Sequence, residues 1–110
     1  MAEDGRITRM IDLVDSGDVE AVKRGIAKGF NVNERTYTGQ TPVFIAIERN
    51  DLSILKILIN AGARVDVKDG FGTSPLLFAQ QLASVDKKYF QTEIITLIQN
   101  TLYSYNVNNY

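Results

Sequence analysis

The sequence predicts an all-α repeat solenoid, in which helix-turn-helix units stack side by side and hairpin-like loops join each unit to the next. Two observations predict it. The chain matches itself at an offset of 33 residues, and in the middle unit apolar residues recur at spacings of three and four between Pro42 and Gly62. At that offset Gly29 falls on Gly62, Val32 on Val65 and Asn33 on Asp66, while Gly39 falls on Gly72, Pro42 on Pro75 and Ala46 on Ala79. Going backwards from the middle unit, Asp51 meets Asp18, Leu52 meets Val19, Leu55 meets Val22 and Ile59 meets Ile26. Turn residues and core residues matching together define a tandem repeat.

The middle unit shows how each element arises. Thr41-Pro42 starts a helix, because a hydroxyl can cap free amides and Pro at the first helical position lacks only an N–H the helix does not use. Val43 to Arg49 then forms a short first helix. Asn50-Asp51 breaks it, as Gly17-Asp18 does one unit earlier, since Asn and Gly tolerate a left-handed backbone. Leu52, Leu55, Leu58 and Ile59 give the amphipathic second helix. Gly62 stops it, and Val65 begins an extended stretch that turns through Asp69-Gly70-Phe71-Gly72.

These residues carry a family resemblance. Gly39-Gln40-Thr41-Pro42-Val43-Phe44-Ile45-Ala46, then Leu52 through Ile59, then Ala61-Gly62-Ala63-Arg64-Val65-Asp66, resembles an ankyrin repeat. Gly72-Thr73-Ser74-Pro75-Leu76-Leu77-Phe78-Ala79 opens another. Ile7 to Val14, Asp18 to Val22 and Lys28 to Asn33 form a similar earlier unit without the Thr-Pro start. The resemblance implies a three-unit array over residues 1–102, with units of about 5–37, 38–70 and 71–102. The tail 103–110 is polar-aromatic without a helical period and is expected to be loosely ordered, the alternative being a Tyr-rich end that docks on a partner.

Two departures stand out. The family usually places His two residues after the Pro, bonded to the loop backbone; this chain has Phe44 and Leu77, which exchanges hydrogen bonding for apolar packing. In the third unit Ile94, Leu97 and Ile98 match Leu55, Leu58 and Ile59 only with six residues inserted within 82–92. The insertion either lengthens the link between two helices or extends one of them. Leu82, Val85, Tyr89 and Phe90 within it are expected to bury against the last helix; the alternative is an apolar patch for a partner or a second copy. Arg6, Arg9, Lys23 and Arg24 supply a polar face at one end of the stack, and Gln80, Gln81, Lys87, Lys88, Gln91 and Gln99 at the other.

Composition narrows the function. The chain has 110 residues, 45% apolar and 23% charged, with net charge −1 and neither Cys nor His. That length suits one domain without disulfides. The absent residues remove Cys nucleophiles, Ser–His and Cys–His pairs, and thiolate or imidazole zinc sites. Thirteen carboxylates remain, but they are scattered. Asp66-Val67-Lys68-Asp69-Gly70 lacks the alternating ligands and closing Glu of a calcium loop. Gly70-Phe71-Gly72 lacks the continuation of a phosphate loop. Thr41 and Ser74 read as caps rather than nucleophiles. No enzyme, cofactor or metal is therefore expected. The balanced charge argues against nucleic acid, and the longest apolar run, Val43 to Ile47, is far short of the ~20 residues of a membrane span. With no signal-peptide pattern at the start, a cytoplasmic protein is expected.

The resemblance implies a non-catalytic protein–protein interaction module that binds a folded protein as an inhibitor or adaptor. Its contacts would come from loop tips and the exposed side of the first helices. Carried onto this sequence, these are Arg35, Tyr37, Thr38 and Gln40 in one loop and Lys68, Phe71 and Thr73 in the next. Asp15, Glu48, Arg49 and Gln81 join them from the helix ends. Tyr37 and Phe71 beside Arg and Lys have the composition of binding hot spots; alternatively Phe71 folds down onto the stack. The module is expected to be monomeric on its own. The rival reading is a structural protein that self-associates through the inserted third unit.

Overall fold

The computed structural model describes residues 9–107. Arg6 of the expected polar face, Ile7 of the first unit and residues 108–110 of the expected tail lie outside the described residues. Six helices follow one another among the described residues: α1 (Met10–Ser16), α2 (Val19–Ala27), α3 (Pro42–Glu48), α4 (Leu52–Asn60), α5 (Pro75–Val85) and α6 (Thr92–Val107). Consecutive helices pair as hairpins. α1, α3 and α5 stack in one layer, and α2, α4 and α6 in a second. Val14, Val22, Val43, Ala46, Ile47, Leu55, Leu58, Ala79, Ile94 and Ile98 are fully buried between the layers, so the repeat-equivalent pairs Ala46/Ala79 and Val22/Leu55 occupy equivalent core places.

Polar side chains at the helix starts explain where the helices begin. The Asp18 carboxylate accepts from the Ala21 N–H at 3.2 Å, the Asp51 carboxylate from Ile54 at 3.0 Å, and the Ser74 hydroxyl from Leu77 at 3.1 Å. α1 lacks the Thr-Pro start and is served otherwise. Its Asp12 carboxylate accepts from the Arg9 N–H, and Glu34 reaches back from the first loop to accept from the Ile11 N–H at 3.3 Å. Thr41 departs from expectation. Its hydroxyl caps no amide and is buried without a hydrogen-bond partner among the described residues, while the Thr41 carbonyl and Pro42 still start the helix.

The third unit differs from the other two. α3 ends at Glu48, whose counterpart 33 residues on is Gln81, yet α5 continues to Val85 before a linker leads into α6. The insertion therefore both extends the first helix and lengthens the link. It is also one residue longer than the apolar spacing suggested: Pro42 to Leu52 is 10 positions and Pro75 to Thr92 is 17, a difference of 7. In that register Ile54 and Leu58 align with Ile94 and Ile98, all four fully buried, and Asn60 with Asn100. Leu82 to Val85 thus overhang the end of α3. Phe90 is buried and Leu82 half-buried as expected, but Val85 and Tyr89 remain 86% and 67% exposed, because no neighbouring helix extends far enough to cover them.

The chain does not fray after Leu102. α6 runs on to Val107, and Tyr105 explains the extra length: its hydroxyl accepts from the Val65 N–H at 3.1 Å, and the Arg64 guanidinium lies 4.0 Å from its ring centre.

Candidate partner-binding surface

Two loops project from the stack, and each closes on itself. In the first, the Thr36 N–H donates to the Gln40 carbonyl at 2.8 Å and Gly39 takes a left-handed φ of 81°. In the second, the Asp69 N–H donates to the Thr73 carbonyl at 2.9 Å, and the Asp69 carboxylate accepts from the Phe71 and Thr73 amides. One loop is then tied to the other. The Arg35 guanidinium bridges the Gly39 and Lys68 carbonyls at 2.8 and 2.9 Å, and the Gly70 N–H donates to the Thr38 carbonyl at 2.8 Å. Nearer the stack, Asn33 accepts from the Arg64 N–H at 2.8 Å and donates to the Gly62 carbonyl at 3.4 Å. Backbone approaches this closely that a side-chain carbon on Gly39 would collide with the Gly70 amide.

On these tied loops Tyr37 is 96% exposed and Phe71 80% exposed. Phe71 therefore does not fold onto the stack; the Phe44 ring does, packing 5.7 Å from Phe78 between α3 and α5, while Leu77 stays partly exposed. Thr38 and Lys68 are exposed at the tips, with Gln40 and Thr73 half-buried beneath them. Glu48, Arg49 and Gln81 are exposed at the ends of α3 and within α5, and Asp15 in α1. Arg49 does not simply extend into solvent. Its guanidinium lies over Gly17 at the α1–α2 turn, where an added Cβ would collide with it. Arg35 is likewise exposed but committed to loop carbonyls.

A family model described as ankyrin repeats, in three copies, matches residues 10–107. The chain belongs to the ankyrin-repeat family. It is similar to a fowlpox virus protein named for ankyrin repeats, 24% identical over 94% of this chain and 15% of that protein. A Rickettsia bellii protein named likewise is 30% identical over 82% of this chain and 58% of its own length. A potassium channel of Arabidopsis thaliana is 38% identical over 57% of this chain, which covers 8% of the channel. The chain thus spans a small to moderate part of these relatives. Ankyrin repeats are generally protein–protein interaction modules, and the family is generally non-catalytic.

Within this ankyrin stack the predicted contact residues play different parts, with Gln40 and Thr73 half-buried and Asp15 exposed on α1. Tyr37, Phe71, Lys68, Thr38, Glu48 and Gln81 present exposed side chains, whereas Arg35 and Arg49 brace one unit against the next. The sequence marks Asn50 as a turn former and Gln91 as part of a polar end face, but not the two as one bracing group. Asn50, left-handed at φ 57°, donates from its side chain to the Tyr89 carbonyl at 2.9 Å and accepts from the Gln91 N–H at 2.9 Å. The Gln91 side chain returns a bond of 2.7 Å to the Asn50 carbonyl. The insertion is thereby clamped onto the α3–α4 turn, as Arg49 covers the preceding turn. The positive-φ signal at Asn50 was legible in the sequence; its partners, some 40 residues on, were not.

Proposed function

We propose that this ankyrin domain is a non-catalytic binding module of the cytoplasm, monomeric on its own. It would dock a folded protein partner on the loop tips and the exposed side of its first helices, acting by occlusion or tethering as an inhibitor or adaptor. The observation that carries this reading is the pair of exposed aromatics, Tyr37 and Phe71, held out on neighbouring loops that are hydrogen-bonded to each other. Exposed aromatic side chains on a braced backbone lose little conformational entropy on binding, which suits them to be hot spots. Arg35, Gln40 and Thr73 support the surface, and Thr38, Lys68, Glu48, Arg49 and Gln81 border it.

The test is affinity capture from cells of the source organism with two baits, the wild-type chain and Tyr37→Ala/Phe71→Ala. Neither side chain packs in the stack, so both baits should melt alike. A protein held by wild type and bound about 30-fold or more weakly by the variant fits two hot-spot losses. Equal retention by both baits would move the interface off the loop tips. Self-association is favoured by one observation, the exposure of Val85 and Tyr89 in the insertion. A dimer seen by light scattering and lost with Val85→Ser would establish it.

A further inference from the structure

A recess of about 260 Å³ lies beside the insertion, between the end of α3, the overhang of α5 and the linker into α6. Leu82, Val85, Tyr89 and the buried Phe90 make up its apolar lining. Its polar backbone is already satisfied from within, because Asn50 bonds the Tyr89 carbonyl and the Gln91 amide. The carboxylates on its wall are Glu48 and Asp86. The Glu48 carboxylate has no hydrogen bond or ion pair among the described residues, and among them the Asp86 carboxylate accepts only a long bond of 3.4 Å from the Tyr89 N–H. The nearby Lys88 does not line the recess; its ammonium stands 5.5 Å from the Tyr89 ring.

We infer that this recess holds one arginine side chain of the partner protein, an inference that rests on the binding-module reading above. The volume falls below the ~300–1,000 Å³ of small-molecule sites and suits a single long side chain. An arginine stem would lie on Leu82 and Val85, and its planar guanidinium would meet the Glu48 carboxylate, which has no partner among the described residues. Both carboxylates are solvent-exposed, so a neutral side chain would gain no ion pair there and an acidic one would meet like charge. Exposed Val85 and Tyr89, which the fold leaves uncovered, then become one wall of a specificity pocket.

The probes are three blocked tripeptides, Gly-Arg-Gly, Gly-Lys-Gly and Gly-citrulline-Gly, titrated against the whole ¹⁵N-labelled chain by NMR. The expected result is saturable shifts at the Asn50, Tyr89 and Gln91 amides with the arginine peptide, at least about tenfold tighter than with citrulline. Glu48→Gln/Asp86→Asn should abolish the shifts while leaving the melting curve unchanged. Equal binding of citrulline, or of lysine, would overturn the assignment to a guanidinium. Absence of shifts at these amides would overturn the pocket itself, yet leave the loop-tip interface standing, since Tyr37 and Phe71 take no part in the titration.

Discussion

Replacing Thr41 by Val should stabilise the fold. Thr41 is 1% exposed and its hydroxyl has no hydrogen-bond partner among the described residues. Folding therefore strips water from a donor and acceptor and returns nothing, a cost of about 1–3 kcal/mol. Val keeps the β-branched shape, and the backbone at φ −100°, ψ 172° is extended, which a β-branched residue favours. No side-chain cap is lost, because none is made. The expected gain is about 1–2 kcal/mol, or a rise in Tm of roughly 5–10 °C for a domain of this size. Urea unfolding of both chains gives the difference as a shift in midpoint at constant slope. Thr41→Ser is the control: it keeps the hydroxyl, deletes a buried methyl, and should lose about 1 kcal/mol. If Val destabilises by 1 kcal/mol or more while Ser is tolerated, the hydroxyl is bonded after all and the reasoning is refuted.

Asn50→Gly should cost about 1–2 kcal/mol, since it keeps the left-handed turn but frees the Tyr89 carbonyl and Gln91 amide; Asn50→Ala should cost about 1 kcal/mol more for its φ of 57°, and chemical denaturation separates the two. Tyr105→Phe removes only the acceptor for the Val65 amide and should cost about 1 kcal/mol, with faster hydrogen exchange at Val65 as the local readout. The Asp66 carboxyl is held below its ordinary pKa by the hydrogen bond from Arg64 at 2.6 Å. A depressed folded pKa gives stability that is present above the unfolded pKa and lost as pH falls through the folded one. Wild type should therefore be modestly more stable than Asp66→Asn at pH 7, with the gap closing on acidification below the ordinary carboxylate range. The pair is half-exposed, so the effect should also shrink in high salt.

The fold was legible because its signals are local. Gly, Pro and Asp fix turns and caps by backbone chemistry alone, and Ala46 over Ala79 reports a shared core position without knowledge of any partner. The insertion was harder to count. The strings Ile54-Leu55-Lys56-Ile57-Leu58 and Ile94-Ile95-Thr96-Leu97-Ile98 are apolar on several sides, so two neighbouring registers both satisfy spacings of three and four. Burial decides between them, with Ile94 and Ile98 taking the places of Ile54 and Leu58. Tyr105 was read as part of a loose tail because a helical period is weak there; one tertiary hydrogen bond and one cation on its ring extend the helix. Thr41 misled in the opposite sense. Its residue type is right for a cap, and only the position of its hydroxyl shows that no amide is reached.

The candidate surface follows the same division. Exposure of Tyr37 and Phe71 could be guessed from their place in the loops, but the behaviour of the arginines could not. Arg35 and Arg49 have the composition of contact residues, yet both lie across a neighbouring unit. In a three-unit stack there are only two unit-to-unit interfaces, so each side chain that crosses one carries a large share of the coupling. Where the family's usual His would secure the loops, this chain has Phe44 and Leu77, and Arg35, Asn33 and the Gly70–Thr38 bond tie the loops instead. The tie lies in the loops themselves rather than beneath them. It couples the Tyr37 tip directly to the Phe71 tip, so that the two exposed aromatics are held at a spacing set by hydrogen bonds between the loops.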